Sequence, residues 1–147
     1  MIAVDTQILV YSQREDSAWH EKAAACLKQL AEGSAPWAIP WACIHEFVAV
    51  VTHPRIYKPP TPLPHALLQV EYWLESPTLR RIGEPVGYWE RLKSLMEEGQ
   101  AIGARVHEAR ITGVCLAHGV RELWSADRDF SRFSALPVRN PMVSIPR

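Results

Sequence analysis

Three of the four aspartates in this chain fall where a strand should end. Asp5 closes the apolar run Ile2-Ala3-Val4, and Asp127 and Asp129 follow Leu123-Trp124-Ser125-Ala126. Elsewhere negative charge is carried by glutamate, so these short, stiff carboxylates are placed rather than scattered. Carboxylates that converge at strand ends repel one another unless something positive lies between them, and a hard divalent cation bound through oxygen is the natural partner. Glu46 joins this set by context. It is the only acidic residue between Glu32 and Glu71, and it interrupts Ala42-Cys43-Ile44 and Phe47-Val48-Ala49-Val50-Val51. A helix apolar almost all round is expected to be buried, and a carboxylate inside it needs a partner. No Lys or Arg stands three or four residues away, so a metal would serve; a surface-facing position or a distant arginine would serve too. Glu108 opens a helix whose buried stripe reads Ile111, Val114, Cys115 and His118. A first helical turn beside strand ends is where a site would be built, and also where an acid commonly complements the helix dipole.

The elements that must position these groups alternate. Ile2 to Asp5 reads as a buried strand, followed at once by a helix through Ile8, Leu9, Val10 and Tyr11. A second helix runs from about Ser17 to Glu32 and stops at Gly33. Trp37 to Ile39 is a strand, and Trp41 to Thr52 a helix that Pro54 ends. The segment from Pro54 to Pro64 is too rich in proline for a helix interior; it is an extended, locally basic loop with Arg55 and Lys58. Leu63, Leu67, Val70 and Leu74 carry the next helix. Leu79 to Ile82 is a strand, Tyr88 to Met96 a helix stopped by Gly99, and His107 to His118 a helix capped by Gly119. Glu122 to Ser125 and Pro137 to Arg139 complete the strands. Such alternation predicts a three-layer α/β/α sandwich around a central, mainly parallel sheet of about five strands. In such sheets the site lies outside the carboxyl ends of the strands, where Asp5 and Asp127 fall.

Composition bounds the rest. The chain of 147 residues reads as one domain, 1–147, with 48% hydrophobic and 22% charged residues. Lys+Arg and Asp+Glu both number 16, so net charge neither supports nor excludes a nucleic-acid partner. Cys26, Cys43 and Cys115 are odd in number, far apart and without a CxxC pair, which argues against disulfides and structural zinc. The N-terminus has no signal-peptide pattern and no apolar run approaches the roughly 18 residues of a membrane span, so a cytoplasmic protein is expected. His45-Glu46 lacks the second histidine of a zinc helix, because Ala49 stands there. Trp41, Trp73 and Trp89 suit helix packing or a homodimer face better than base stacking.

Four segments together resemble the PIN domain and, within it, the ribonuclease toxins of VapBC toxin–antitoxin pairs. They are Val4-Asp5-Thr6-Gln7-Ile8-Leu9-Val10-Tyr11, His45-Glu46-Phe47, Val106-His107-Glu108-Ala109-Arg110-Ile111 and Ser125-Ala126-Asp127-Arg128-Asp129-Phe130. Their order and spacing match over nearly the whole chain. The resemblance implies metal ligation by Asp5, Glu46, Glu108 and Asp127, with Asp129 close by, and support from Gln7 and the hydroxyl of Ser125. It implies Mg²⁺ or Mn²⁺ as cofactor and two-metal hydrolysis of RNA, often structured RNA such as tRNA, leaving 5′ phosphates. It also implies a VapB-like antitoxin as partner. Glu108 stands where the family usually has aspartate, and Gln7 where it has asparagine. A PIN-fold RNA- or protein-binding module with impaired catalysis is therefore the alternative. Arg110, Arg128 and Arg132 are the candidate phosphate contacts, with Arg55 and Lys58 able to reach from the proline loop.

Overall fold

The structure, a computed structural model, describes residues 1–143. Its strands are β1 (Ile2–Val4), β2 (Trp37–Pro40), β3 (Leu79–Ile82), β4 (Glu122–Trp124) and β5 (Val138–Arg139). They form one sheet in the order β3-β2-β1-β4-β5, and every pairing is parallel. The helices are α1 (Thr6–Gln13), α2 (His20–Glu32), α3 (Trp41–Val51), α4 (Leu63–Leu74), α5 (Tyr88–Glu98) and α6 (Arg105–Ala117), with a short 3-10 helix over Arg128–Arg132. Right-handed crossovers place α1 to α4 on one face and α5 and α6 on the other. Accordingly α1 packs on α2 and α3, α3 on α4, and α5 on α6. This is the expected α/β/α sandwich, with a sheet that is parallel throughout its described pairings.

The chain moves outward from β1 to β2 and β3, then returns to β4 on the other side of β1. The strand order therefore reverses between β1 and β4, and a crevice must open there at the carboxyl ends. The hydrogen-bond ladder runs one residue past the strands. The Asp5 amide donates to Trp124 O at 2.9 Å and the Ser125 amide to Arg139 O at 3.0 Å. The backbone under the crevice is thus held in sheet register. Beneath it the core is closed by Val4, Ile8, Trp37, Ile39, Phe47 and Leu123, all fully buried. Phe47 meets Trp73 edge-on, with ring centroids 4.7 Å apart, a contact worth about 1 kcal/mol beyond burial.

Four expectations are corrected. Only Cys43, Ile44, Phe47 and Val51 of α3 are buried, because α3 lies in an outer layer, so Glu46 faces solvent. In α4 the buried stripe is Ala66, Val70 and Trp73; the Trp73 indole anchors the helix on Phe47 and turns Leu63 and Leu67 outward. His118 follows the last turn of α6, is exposed, and donates from Nε2 to Gly83 O at 2.8 Å. α2 begins at His20 rather than Ser17, since Ser17 Oγ and O accept from the Trp19 and His20 amides in a turn. The proline loop does separate α3 from α4, and Gly119 has the positive φ of 74° expected of a helix stop. Among the described residues no helix is long and apolar enough to cross a membrane.

Candidate functional site

Asp5 leaves β1 at the N-cap position of α1 but makes no capping hydrogen bond. Its carboxylate instead accepts from Ser125 Oγ at 2.7 Å and faces Cys43 Sγ at 3.7 Å. Ser125 Oγ also accepts from the Asp127 amide at 2.9 Å, so one hydroxyl ties the end of β1 to the turn after β4. Asp127 in turn accepts from the Asp129 amide at 2.9 Å and caps the 3-10 helix. The capping role and a place in the acidic cluster therefore coexist in one residue. Glu46 is held from α1, where Thr6 Oγ1 donates to its Oε2 at 3.1 Å.

These groups border one cleft of about 530 Å³, lined among others by Asp5, Glu46, Glu108 and Asp127. Glu108, Asp127 and Asp129 approach more closely: one carboxylate oxygen from each lies within 4.8 Å of the others. Glu108 Oε2 is shielded from solvent and has no hydrogen-bond partner among the described residues. Burial, reinforced by Asp127 and then Asp129, pushes the Glu108 carboxyl up to about 7; Arg105 and Arg132 pull it down. Burial also raises Asp5 to about 6, against the lowering hydrogen bond from Ser125, with repulsion from Glu46 and Asp127 adding to the rise. Several carboxylates this close, one with an unsatisfied oxygen, constitute an oxygen-rich set that a hard cation fits.

The other candidates are placed less centrally. Gln7 lines the cleft but is exposed, with no side-chain hydrogen bond among the described residues; Thr6 makes the supporting contact instead. Arg110 reaches the cleft, yet its Nε is held by Glu84 at 2.6 Å, which also keeps the Glu84 carboxyl below its ordinary range. Arg128 and Arg132 are exposed beside Asp129. Arg55 and Lys58 are exposed outside the cleft lining. Arg105, three residues before Glu108 in the same helix, was not singled out in the sequence, where an arginine at a helix start reads as ordinary surface charge.

A parallel α/β/α sandwich with acidic residues gathered at its switch point is a PIN-like architecture. No family model matches the chain. It is 30% identical over 142 residues to ribonuclease VapC43 of Mycobacterium tuberculosis, covering 97% of this chain and 96% of that one. The chain belongs to the VapC ribonuclease family. Its fold also matches VapBC2 of Rickettsia felis, solved with a promoter DNA fragment, at 19% identity and a TM-score of 0.65 over 95% of this chain and 98% of that one. Mycobacterium tuberculosis VapC20, a sarcin-ricin loop cleaving toxin, matches at 17% identity and a TM-score of 0.65, covering 89% of this chain and 93% of that one.

Proposed function

We propose that residues 1–147 act as one cytoplasmic domain: a divalent-metal-dependent endoribonuclease toxin that hydrolyses RNA and is neutralised by a VapB-like antitoxin. The observation that carries this reading is the set Glu108, Asp127 and Asp129 with the unsatisfied Glu108 Oε2. Membership of the VapC ribonuclease family supports the reaction class. The VapBC2 complex supports the antitoxin.

In this reading Glu108, Asp127 and Asp129 hold the cation, and Asp5 and Glu46 complete the acidic wall. Mg²⁺ or Mn²⁺ suits ligands that are all carboxylate oxygens, and when bound supplies Lewis-acid stabilisation of phosphodiester charge and a more acidic water. Ser125 fixes the orientation of Asp5 and the turn that carries Asp127. Thr6 does the same for Glu46. Glu108, raised to about 7 by burial and its acidic neighbours, would have to lose its proton to serve as a ligand, so metal affinity would rise with pH. Arg105 and Arg132 offset the negative charge that an incoming phosphate must meet. No histidine is assigned as a general base; His45 and His107 line the cleft, each next in sequence to an acid. The exposed face of α4, with Leu63, Leu67, Leu68 and Tyr72, is proposed as the homodimer face, since a patch of this kind on a lone protomer favours association.

The test is cleavage of total RNA by the purified protein in Mg²⁺ or Mn²⁺, against EDTA and against Asp5→Asn. Metal-dependent products with 5′ phosphates, absent in the variant, support the reading. Binding of RNA without cleavage in either metal, by folded protein free of antitoxin, would leave an impaired binding module instead.

A further inference from the structure

An aromatic pair stands at the edge of the acidic cleft: His45 lines it, and Trp41 lies just outside its lining. α3 starts directly from β2, at the same end of the sheet as Asp5 and Ser125. Trp41 and His45 are one turn apart on this helix, and their rings stack with centroids 6.4 Å apart and planes at 30°. His45 lines the cleft and immediately precedes Glu46, so the ring pair leads to the carboxylates. Trp41 keeps 39% of its surface exposed, so it is not the packed residue that its sequence context favoured over base stacking. One edge of its indole is backed by Gly83, where even a Cβ would lie 3.6 Å from Cδ1. Glu84 follows Gly83 and pairs with Arg110, which lines the cleft. Small residues of the same helix, Ala42 and Ala49, line the cleft beside His45.

A flat, partly exposed indole stacked on a histidine that lines the acidic cleft has the chemistry of a base-stacking surface. A protein interface fits it less well, because the broad apolar surface of the molecule lies on α4, whereas Trp41 stacks on an imidazole and lies against Gly83, next in sequence to Glu84. We propose that Trp41 and His45 form a stacking platform for one unpaired nucleobase of the RNA strand next to the carboxylate site. The proposal rests on the ribonuclease reading and adds to it the residues that hold one unpaired base beside the carboxylates. A base paired within an A-form helix keeps both faces covered and cannot reach the platform.

The experiment compares two fluorescein-labelled nonamers, oligoadenylate and an abasic chain with the same ribose-phosphate backbone. Binding to the full chain is followed by anisotropy in EDTA, where metal-dependent cleavage is absent. Stacking of one base predicts roughly tenfold tighter binding of oligoadenylate by the wild type. Trp41→Ala should remove most of that preference while leaving abasic affinity within about twofold, and Trp41→Phe should keep most of it. His45→Ala should lower it in part. Equal binding of both nonamers by the wild type, no measurable binding of either, or a Trp41→Ala effect equal on both overturns the proposal. So does a Trp41→Ala change in oligomeric state with the preference intact, which assigns the indole to a protein contact. Cleavage of total RNA in Mn²⁺ is scored separately. Preference without cleavage leaves the platform standing and sinks the ribonuclease reading, and cleavage without preference does the reverse.

Discussion

The two sides of the acidic cleft are built differently. On the β1 side Asp5 is buried, and its carboxylate already has a hydroxyl partner in Ser125 and a thiol neighbour in Cys43. It hangs from a backbone held in the sheet ladder. On the α6 side Glu108 and Asp127 are half-buried and Asp129 exposed. Their carboxylates crowd within 4.8 Å, and one oxygen of Glu108 is left without a partner. The first side has its hydrogen-bond partner within the protein; the second keeps one carboxylate oxygen, Glu108 Oε2, with no partner among the described residues, which a proton or a cation would satisfy. The fold therefore fixes one carboxylate in advance and leaves the others as a demand for positive charge, which is how a site can be ordered and still bind metal.

Removing a ligand from the crowded side should have the largest effect. Asp127→Asn is expected to lower metal-dependent RNA cleavage by more than the ~10- to 100-fold that supporting residues of metal sites usually cost. A variant within a few-fold of wild type would place the reaction elsewhere. On the satisfied side, Ser125→Ala removes the donor to Asp5 and the acceptor for the Asp127 amide. It should cost about 1–3 kcal/mol in denaturant unfolding and ~10- to 100-fold in cleavage, with Ser125→Thr restoring both. If Ser125→Ala is as active as wild type, the β1 side does not organise the site.

Metal addition sharpens the contrast in stability. A cation at 100 times its dissociation constant stabilises by about 2.7 kcal/mol, and each kcal/mol is worth about 2–4 °C of Tm in a domain of this size. The gain, read by thermal melts in Mn²⁺ against EDTA, should nearly vanish in Glu108→Gln, while that variant melts no lower than wild type in EDTA because a repelling charge has gone. An undiminished Mn²⁺ gain in Glu108→Gln would remove Glu108 from the ligand set.

The pH dependence in EDTA is the smallest effect. Asp5 and Glu108 hold their protons to about 6 and about 7 in the folded chain, above the ordinary carboxylate range they have when unfolded. Between pH 4 and 7 the folded state thus binds more protons, so stability falls as pH rises through that window. Asp16 and Glu84 are shifted downward and act below it. Metal-free protein should melt higher at pH 5 than at pH 7.5, and Glu108→Gln should flatten the curve. Opposite slopes would mean that the crowded carboxylates are not protonated as their surroundings dictate.

Much of this was legible along the chain. Apolar runs of the right length, glycine stops and prolines gave five strands and six long helices with boundaries close to those found. Asp5, Asp127 and Asp129 could be placed at strand ends because a short apolar run followed by aspartate has few other meanings in an alternating chain. Glu46 was noticed for a reason that the structure overturns: its helix is not buried all round, and the glutamate looks outward into the cleft. The stripe of α4 was misjudged because periodicity cannot tell which of two overlapping apolar faces meets the layer beneath.

By itself, the sequence determined the local elements and the identity of the acidic groups, since hydrophobic period, turn chemistry and side-chain type are properties of neighbouring residues. Only the tertiary structure decided which carboxylate is satisfied and which is not. Ser125 and Asp5 are 120 residues apart, Thr6 and Glu46 are 40, and Glu84 and Arg110 are 26. Their hydrogen bonds, and the desolvation that moves Asp5 and Glu108, exist only once the strand order has reversed beside β1 and folded distant segments against one crevice.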